Sequence, residues 1–256
     1  MKTYCFTVDD NIRFLKELTE NGSASLFDHP YLQLYRRLHQ RFGLKVQLNM
    51  FYEMPDFDLS RATDRFREEF RANAHWLKLS FHSRLENIRP YEDSGYDEVY
   101  RDCGDVHREI LRFAGPEALG RTTTVHFCRT TEAGLDAMRD RGMEGLLGLF
   151  GTAQSPRTSY SVPESMGDAI RAGELREFRG VRIADIDMII NKVKLEDIVP
   201  GLERFLDHSQ IRVMIHEQYF YPDYFMYQPD FADKLETAFA FLEAQGYTSR
   251  FFEEML

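Results

Sequence analysis

The sequence predicts an α/β fold, a distorted (β/α) barrel with about seven parallel strands, and three observations point to it. β-Branched or aromatic runs alternate with amphipathic helical stretches along the whole chain. Neighbouring parallel strands need a crossover, and each interval between runs can hold a helix. Polar residues gather where the strand runs end, which is where barrels and doubly wound sheets carry out chemistry. A doubly wound open sheet is the second architecture.

The first strand is expected over residues 3–8, and the period changes at Asp9-Asp10 to a helix over 11–20 with apolar Ile12, Phe14, Leu15 and Leu18. A helix over 31–42, stopped by Gly43, leads into an alternating strand at 44–51. A charged helix over 60–73 precedes a third strand at 76–81, and a longer helix covers 97–113 before Gly115-Pro116 ends it. Then come a strand at 122–127, a helix at 132–141 closed by Gly142, and a short strand at 145–150. Residues 151–179, rich in Ser, Pro and Gly, read as a lid or hairpin insertion rather than a barrel element. Strands at 181–189, 211–215 and 248–252 are separated by helices at 195–206 and 230–245. One domain over residues 1–256 is expected, since a core of this size is routine for a single barrel.

A net charge of −10 disfavours nucleic-acid and anionic-membrane partners, whose surfaces attract dense Lys/Arg patches absent here. A neutral or cationic small molecule, or an oligosaccharide, is the expected partner, and a homo-oligomer is left open. Cys5, Cys103 and Cys128 are an odd number without paired spacing, and they read as reduced structural thiols. The first residues enter a strand directly, and no apolar run is long enough for a membrane span, so a cytoplasmic location is expected.

Several strand ends carry groups suited to chemistry. Asp9 and Asp10 follow a buried-type strand, and one carboxylate could bind a metal while the other acts as a base; the plain alternative is a cap for the next helix. His82 and Glu86 lie four apart and would share a face if the chain turned helical after Phe81, offering imidazole and carboxylate to one divalent ion. His216 and Glu217 end an apolar strand, and His216 is suited to general acid work near neutral pH. The aromatic run from Tyr219 to Tyr227 is either packing or a wall for sugar rings. Asp185 and Asp187 alternate on one strand and could orient His216 or a nearby Arg. His126 could be a further ligand or a substrate contact, and Arg129 could fix a catalytic carboxylate. His29, His39, His75, His107 and His208 fall on helical or loop stretches and are expected to carry no chemistry.

Together these strings resemble the polysaccharide deacetylases, the family with a NodB homology domain (carbohydrate esterase family 4). Thr7-Val8-Asp9-Asp10-Asn11 is similar to the family's Thr-Phe-Asp-Asp-Gly motif, His82-Ser83-Arg84-Leu85-Glu86 to His-Ser/Thr-x-x-His, and Ile215-His216-Glu217 to Leu-His-Asp. The resemblance implies a distorted barrel with fewer than eight strands. It also implies Asp9 as catalytic base, His216 as general acid, and Asp10, His82 and Glu86 as ligands of a divalent ion. That ion would be Zn²⁺, with Mn²⁺, Fe²⁺ or Co²⁺ as alternatives. Glu86 stands where the family has its second His, Asn11 replaces Gly, and His126-Phe127-Cys128-Arg129-Thr130 occupies the place of Arg-Pro-Pro-Tyr-Gly. The implied activity is removal of an N-acyl group, typically acetyl, from an amino sugar. The alternatives are a carbohydrate-binding protein without catalysis, and an amidase acting on a non-sugar amide.

Overall fold

The computed structural model describes residues 2–86, 91–151 and 159–256. Its strands in chain order are β1 (Thr3–Asn11), β2 (Val46–Met54), β3 (Phe57–Asp58), β4 (Leu77–Leu85), β5 (Thr122–Thr123), β6 (Gly145–Gly148), β7 (Arg176–Phe178), β8 (Val181–Asp185), β9 (Met188–Ile189), β10 (Gln210–His216) and β11 (Thr248–Ser249). The helices are α1 (Arg13–Glu20), α2 (Pro30–Phe42), α3 (Arg67–Asn73), α4 (Tyr96–Phe113), α5 (Glu132–Asp140), α6 (Glu164–Arg171), α7 (Ile198–Glu203) and α8 (Phe231–Ala244).

Two sheets share the strands. In the larger, β1 lies between β2 and β10, β4 pairs with β2, and β9 pairs with β10, all in parallel. In the smaller, β5, β6 and β8 are parallel neighbours. Among the described residues only β3 and β7, one at the edge of each sheet, run antiparallel to their partners. The sheets meet on both sides. Gly120 N donates to Leu79 O at 2.8 Å beside a parallel bridge between Leu79 and Leu119, and Asp187 N donates to Arg212 O at 2.9 Å. The ring therefore runs β10, β1, β2, β4, β5, β6, β8, which is the distorted parallel barrel that the alternating pattern predicts.

Strand alternation divides the side chains between two environments. Tyr4, Phe6 and Val8 of β1 point into the layer between sheet and helices, where the Phe239 ring of α8 meets Tyr4 at 5.7 Å and Phe6 at 5.0 Å. Burying an aromatic ring there contributes roughly 1.5–3 kcal/mol. Cys5, on the other face, joins Leu147, Ala184, Ile186 and Met214 inside the ring. Phe252 and Met255 from the last residues complete that cluster and floor the barrel. The ion pairs Lys78–Glu253 and Lys45–Glu254 pin this floor to β4 and to the start of β2.

Several elements differ from the sequence reading. The charged helix begins only at Arg67, after a 3-10 turn at Leu59–Arg61. The helix expected over 195–206 is a 3-10 turn followed by the six-residue α7, which contains Pro200, a residue with no N–H to donate. The fourth strand stops at Thr123, and a turn at His126–Cys128 follows. β4 instead stays extended to Leu85. Within the stretch read as a lid or hairpin, Ser159–Ser161 form a 3-10 turn, α6 follows, and β7 makes a hairpin with β8; residues 152–158 lie outside the described residues. No described helix is long and apolar enough to cross a membrane.

Candidate metal centre and active site

Two β-bulges aim Asp10 and His82, two of the candidate ligands. Along β1 and β2, Val8 faces Leu48 and Asn11 faces Met50, so Asp9 and Asp10 together oppose Asn49 alone. Asp10 adopts φ +64°, a left-handed conformation uncommon for a residue with a side chain. Adjacent strand residues normally point to opposite faces; the bulge lets both carboxylates line one cavity. Along β2 and β4, Met50 faces Phe81 and Phe51 faces Ser83, which leaves His82 as the extra residue.

His126 completes the group from the other sheet. After the two-residue β5, Phe127 and Cys128 take φ +58° and +54°, and this tight turn carries the imidazole back over the mouth. His82 Nε2 then lies 3.0 Å from Asp10 Oδ1 and 3.1 Å from His126 Nδ1, and His126 Nδ1 lies 3.3 Å from the same Asp10 oxygen. Ligands about 2.0–2.1 Å from one ion stand about 3.0 Å apart at right angles and about 3.4 Å apart in a tetrahedron. The triangle fits a divalent cation. His82 Nδ1 meets Thr124 O, which turns Nε2 toward the centre and fixes the ring's orientation. Without a cation, two imidazoles and a carboxylate converge on one buried point and must share protons.

Glu86, expected as the third ligand, is not in this group: Asp10, His82 and His126 are the residues whose donor atoms cluster among those described. The reason is the extended course of β4. A helical turn would have stacked Glu86 above His82, whereas four residues of strand span about 13 Å. Glu86 still lines the cavity, and burial together with the charge of Asp10 pushes its carboxyl above the usual range against the pull of Arg13 and Gln218.

The cavity at the mouth measures about 270 Å³ and is lined by Asp9, Asp10, His82, Glu86, His126 and His216, with Phe127, Tyr219 and Tyr224 among its aromatic walls. Asp9 is buried, and Asn49 Nδ2 donates to its Oδ1 at 2.7 Å. Burial, with some help from Asp10, pushes the Asp9 carboxyl up to about 6 against the opposing pull of His82 and Asn49. Burial also opposes ionisation of Asp10, yet hydrogen bonds from His126 and His82 hold its carboxyl well below the usual carboxylate range. His216 stands opposite Asp9 on the neighbouring strand, and its Nδ1 meets Asn191 Oδ1 at 2.9 Å, leaving Nε2 for the cavity. Burial lowers its pKa, as it does that of His126.

The remaining expected residues have other partners. Asp185 and Asp187 do not orient His216, a task that falls to Asn191, whereas the alternative of a nearby Arg is met by Asp187, whose Oδ2 lies 3.9 Å from Arg212 Nη1. Asp185 Oδ1 accepts from Phe150 N at 3.1 Å and Ile186 N at 3.0 Å, and Asp187 Oδ2 accepts from Arg212 N at 2.7 Å. Glu217 is fully buried and does not line the cavity. It accepts from Ile12, Arg13 and Phe14 N–H at 2.7, 3.0 and 2.8 Å, which caps α1 from across the sequence. Neither Asp9 nor Asp10 is that cap. Arg129 neither lines the cavity nor bonds Asp9 among the described residues; Asn49 holds that carboxylate instead. Tyr219 lines the mouth, its ring 6.0 Å from that of His216.

The amides Asn49, Asn191 and Gln218 were missed by sequence reasoning. A signal existed for Asn49. Gln47 and Asn49 alternate with Val46, Leu48 and Met50, so a buried strand turns two amides toward the barrel interior.

No family model matches the sequence, and no curated relative matches it either. Among solved structures, a family 4 acetyl xylan esterase from Clostridium thermocellum in complex with a cobalt ion is 11% identical, with 99% of this chain and 90% of that chain covered at a TM-score of 0.55. A peptidoglycan N-acetylglucosamine deacetylase is 10% identical, with 99% and 87% covered at 0.52. A 4-alpha-glucanotransferase from Thermococcus litoralis is 12% identical, with 99% and 40% covered at 0.61. One barrel thus hosts more than one chemistry, and function must be read from the site. The fold of this chain is the barrel fold of the polysaccharide deacetylases.

Proposed function

We propose that this protein is a divergent polysaccharide deacetylase, a metal-dependent hydrolase that removes an N-acyl group, acetyl foremost, from an amino sugar. The observation that carries this reading is the triangle of Asp10 Oδ1, His82 Nε2 and His126 Nδ1, with edges of 3.0 to 3.3 Å. Two imidazoles and one carboxylate suit Zn²⁺ and Co²⁺ alike and leave coordination positions open. A bound divalent ion supplies Lewis acidity, polarising an amide carbonyl and making a bound water more acidic. Glycosyl transfer with retention would instead need two free carboxylates about 5–5.5 Å apart. Asp10, engaged by both imidazoles, is not free in that sense.

In this reading Asp9 takes the proton of the attacking water, held in orientation by Asn49. His216, fixed through Nδ1 by Asn191, gives a proton from Nε2 to the departing nitrogen, because an amide anion is too basic to leave near neutral pH. Phe127, 40% exposed, joins Tyr219 and Tyr224 in presenting flat apolar faces on which the C–H face of a sugar ring can pack. The three cysteines are buried and none is in a disulfide among the described residues, in keeping with a reducing compartment, and we place the enzyme in the cytoplasm.

Acetate release from N-acetylglucosamine and its oligomers by the Zn²⁺- or Co²⁺-loaded protein tests the proposal. Asp9→Asn is expected to lower kcat by about 10²–10⁴, the usual contribution of a general base. Loaded protein that releases no acyl group from any N-acylated sugar, or an Asp9→Asn variant as active as wild type, would overturn it.

A further inference from the structure

A ligating carboxylate has two oxygens, and the second needs its own partner. Asp10 Oδ1 faces both imidazoles, while Oδ2 accepts from Gln218 Nε2 at 2.6 Å. Gln218 is itself held. It sits on the 3-10 turn Glu217–Phe220, next to Glu217, whose buried carboxylate is tied to the first residues of α1 and to the Tyr221 hydroxyl at 3.0 Å. Tyr219 O accepts from Gln228 N at 3.0 Å on the far side of the same turn. Gln218 and Glu86 line the same cavity, and the buried Oε1 of Gln218 has no protein partner among the described residues.

We propose that Gln218 is a positioning residue for the metal centre: by occupying Asp10 Oδ2 it confines Asp10 to ligation through Oδ1 and keeps a coordination position open. The inference rests on the metal-centre reading. It assigns to the turn after β10 a role in metal affinity, although no group on that turn is a ligand. A neutral amide can do this where a cation would compete for the carboxylate charge, and where a second carboxylate would repel it. The orphaned Oε1 then remains as an acceptor for a donor brought by water or substrate.

The test needs no substrate. Co²⁺ binding is measured by titration calorimetry on wild type, Gln218→Met, which keeps the side-chain length without the donor, and Gln218→Ala. The melting temperature of each metal-free protein is measured in parallel. Both variants are expected to bind Co²⁺ about 10–100-fold more weakly, the usual effect of losing a ligand's outer hydrogen bond, with metal-free melting close to wild type. Variants that fold and bind Co²⁺ within about twofold of wild type would overturn the role of Gln218 alone. Weakened binding that follows an equal loss of metal-free stability would make the residue structural and overturn it too. A wild-type protein that takes up no Co²⁺ would overturn the metal centre itself.

Discussion

In the larger sheet, β1, β2 and β4 each run nine residues, and Asp10 and His82 are delivered by bulges inside those strands. In the smaller sheet β5 runs two residues, and His126 is delivered by the left-handed turn that ends it. A long strand has its side chains fixed by alternation, so it can re-aim one toward the mouth only by breaking register. A short strand re-aims a side chain by stopping. The two halves therefore reach one cluster by opposite means, and in the proposed metal centre His126 takes the place expected of Glu86. Glu86 stays at the rim of the cavity, beside Gln218.

That division is exposed most strongly by comparing His126→Ala with Glu86→Ala. Loss of His126 is expected to weaken Zn²⁺ or Co²⁺ binding by more than about 100-fold, beyond the 10–100-fold typical of residues that only support a ligand. Loss of Glu86 is expected to leave it within that supporting range or smaller. Titration calorimetry reads both, and equal losses would erase the distinction between the sheets.

How much of this was legible in the sequence follows the same line. Asp9, Asp10, His82 and His216 stand at the ends of strongly β-branched or apolar runs, and the alternating pattern alone brings them to one rim. The resemblance to the deacetylase motifs pointed to the same four. Glu86 was misjudged because nothing local says that β4 continues past Phe81; its pairing with the rest of β2 decides that. The sequence offers His126 as a further ligand or a substrate contact, outside the implied set of Asp10, His82 and Glu86. Its position depends on left-handed backbone at Phe127 and Cys128, residue types that do not announce such a turn as glycine would. Glu217 was read as a site residue because it follows His216, yet its job is long-range capping, and no helix N-terminus advertises a partner 205 positions away.

A smaller effect sharpens the contrast at the end of β8. Burial first, then the nearby Asp187, pushes the Asp185 carboxyl up to about 7, opposed by the N–H groups of Phe150 and Ile186. The folded state therefore holds its proton more tightly than the unfolded chain. The stability this contributes is fully present below the unfolded value near 3.8 and is lost as pH rises through about 7. Asp185→Asn keeps an acceptor for both N–H groups and removes the charge. It is expected to be clearly more stable than wild type at pH 8 and close to it at pH 4, by urea unfolding at both values. Metal affinity should not change, because Asp185 does not line the cavity. A pH-independent difference would contradict the assignment.

In the proposed centre both sheets share one ion, and X-ray absorption at the metal edge of the Zn²⁺- or Co²⁺-loaded protein addresses that directly. A shared ion predicts scattering from two imidazoles, with one carboxylate oxygen among the remaining light ligands, at about 2.0–2.2 Å, and the loss of one imidazole in His126→Ala. A single imidazole in the wild-type spectrum, unchanged by His126→Ala, would contradict it.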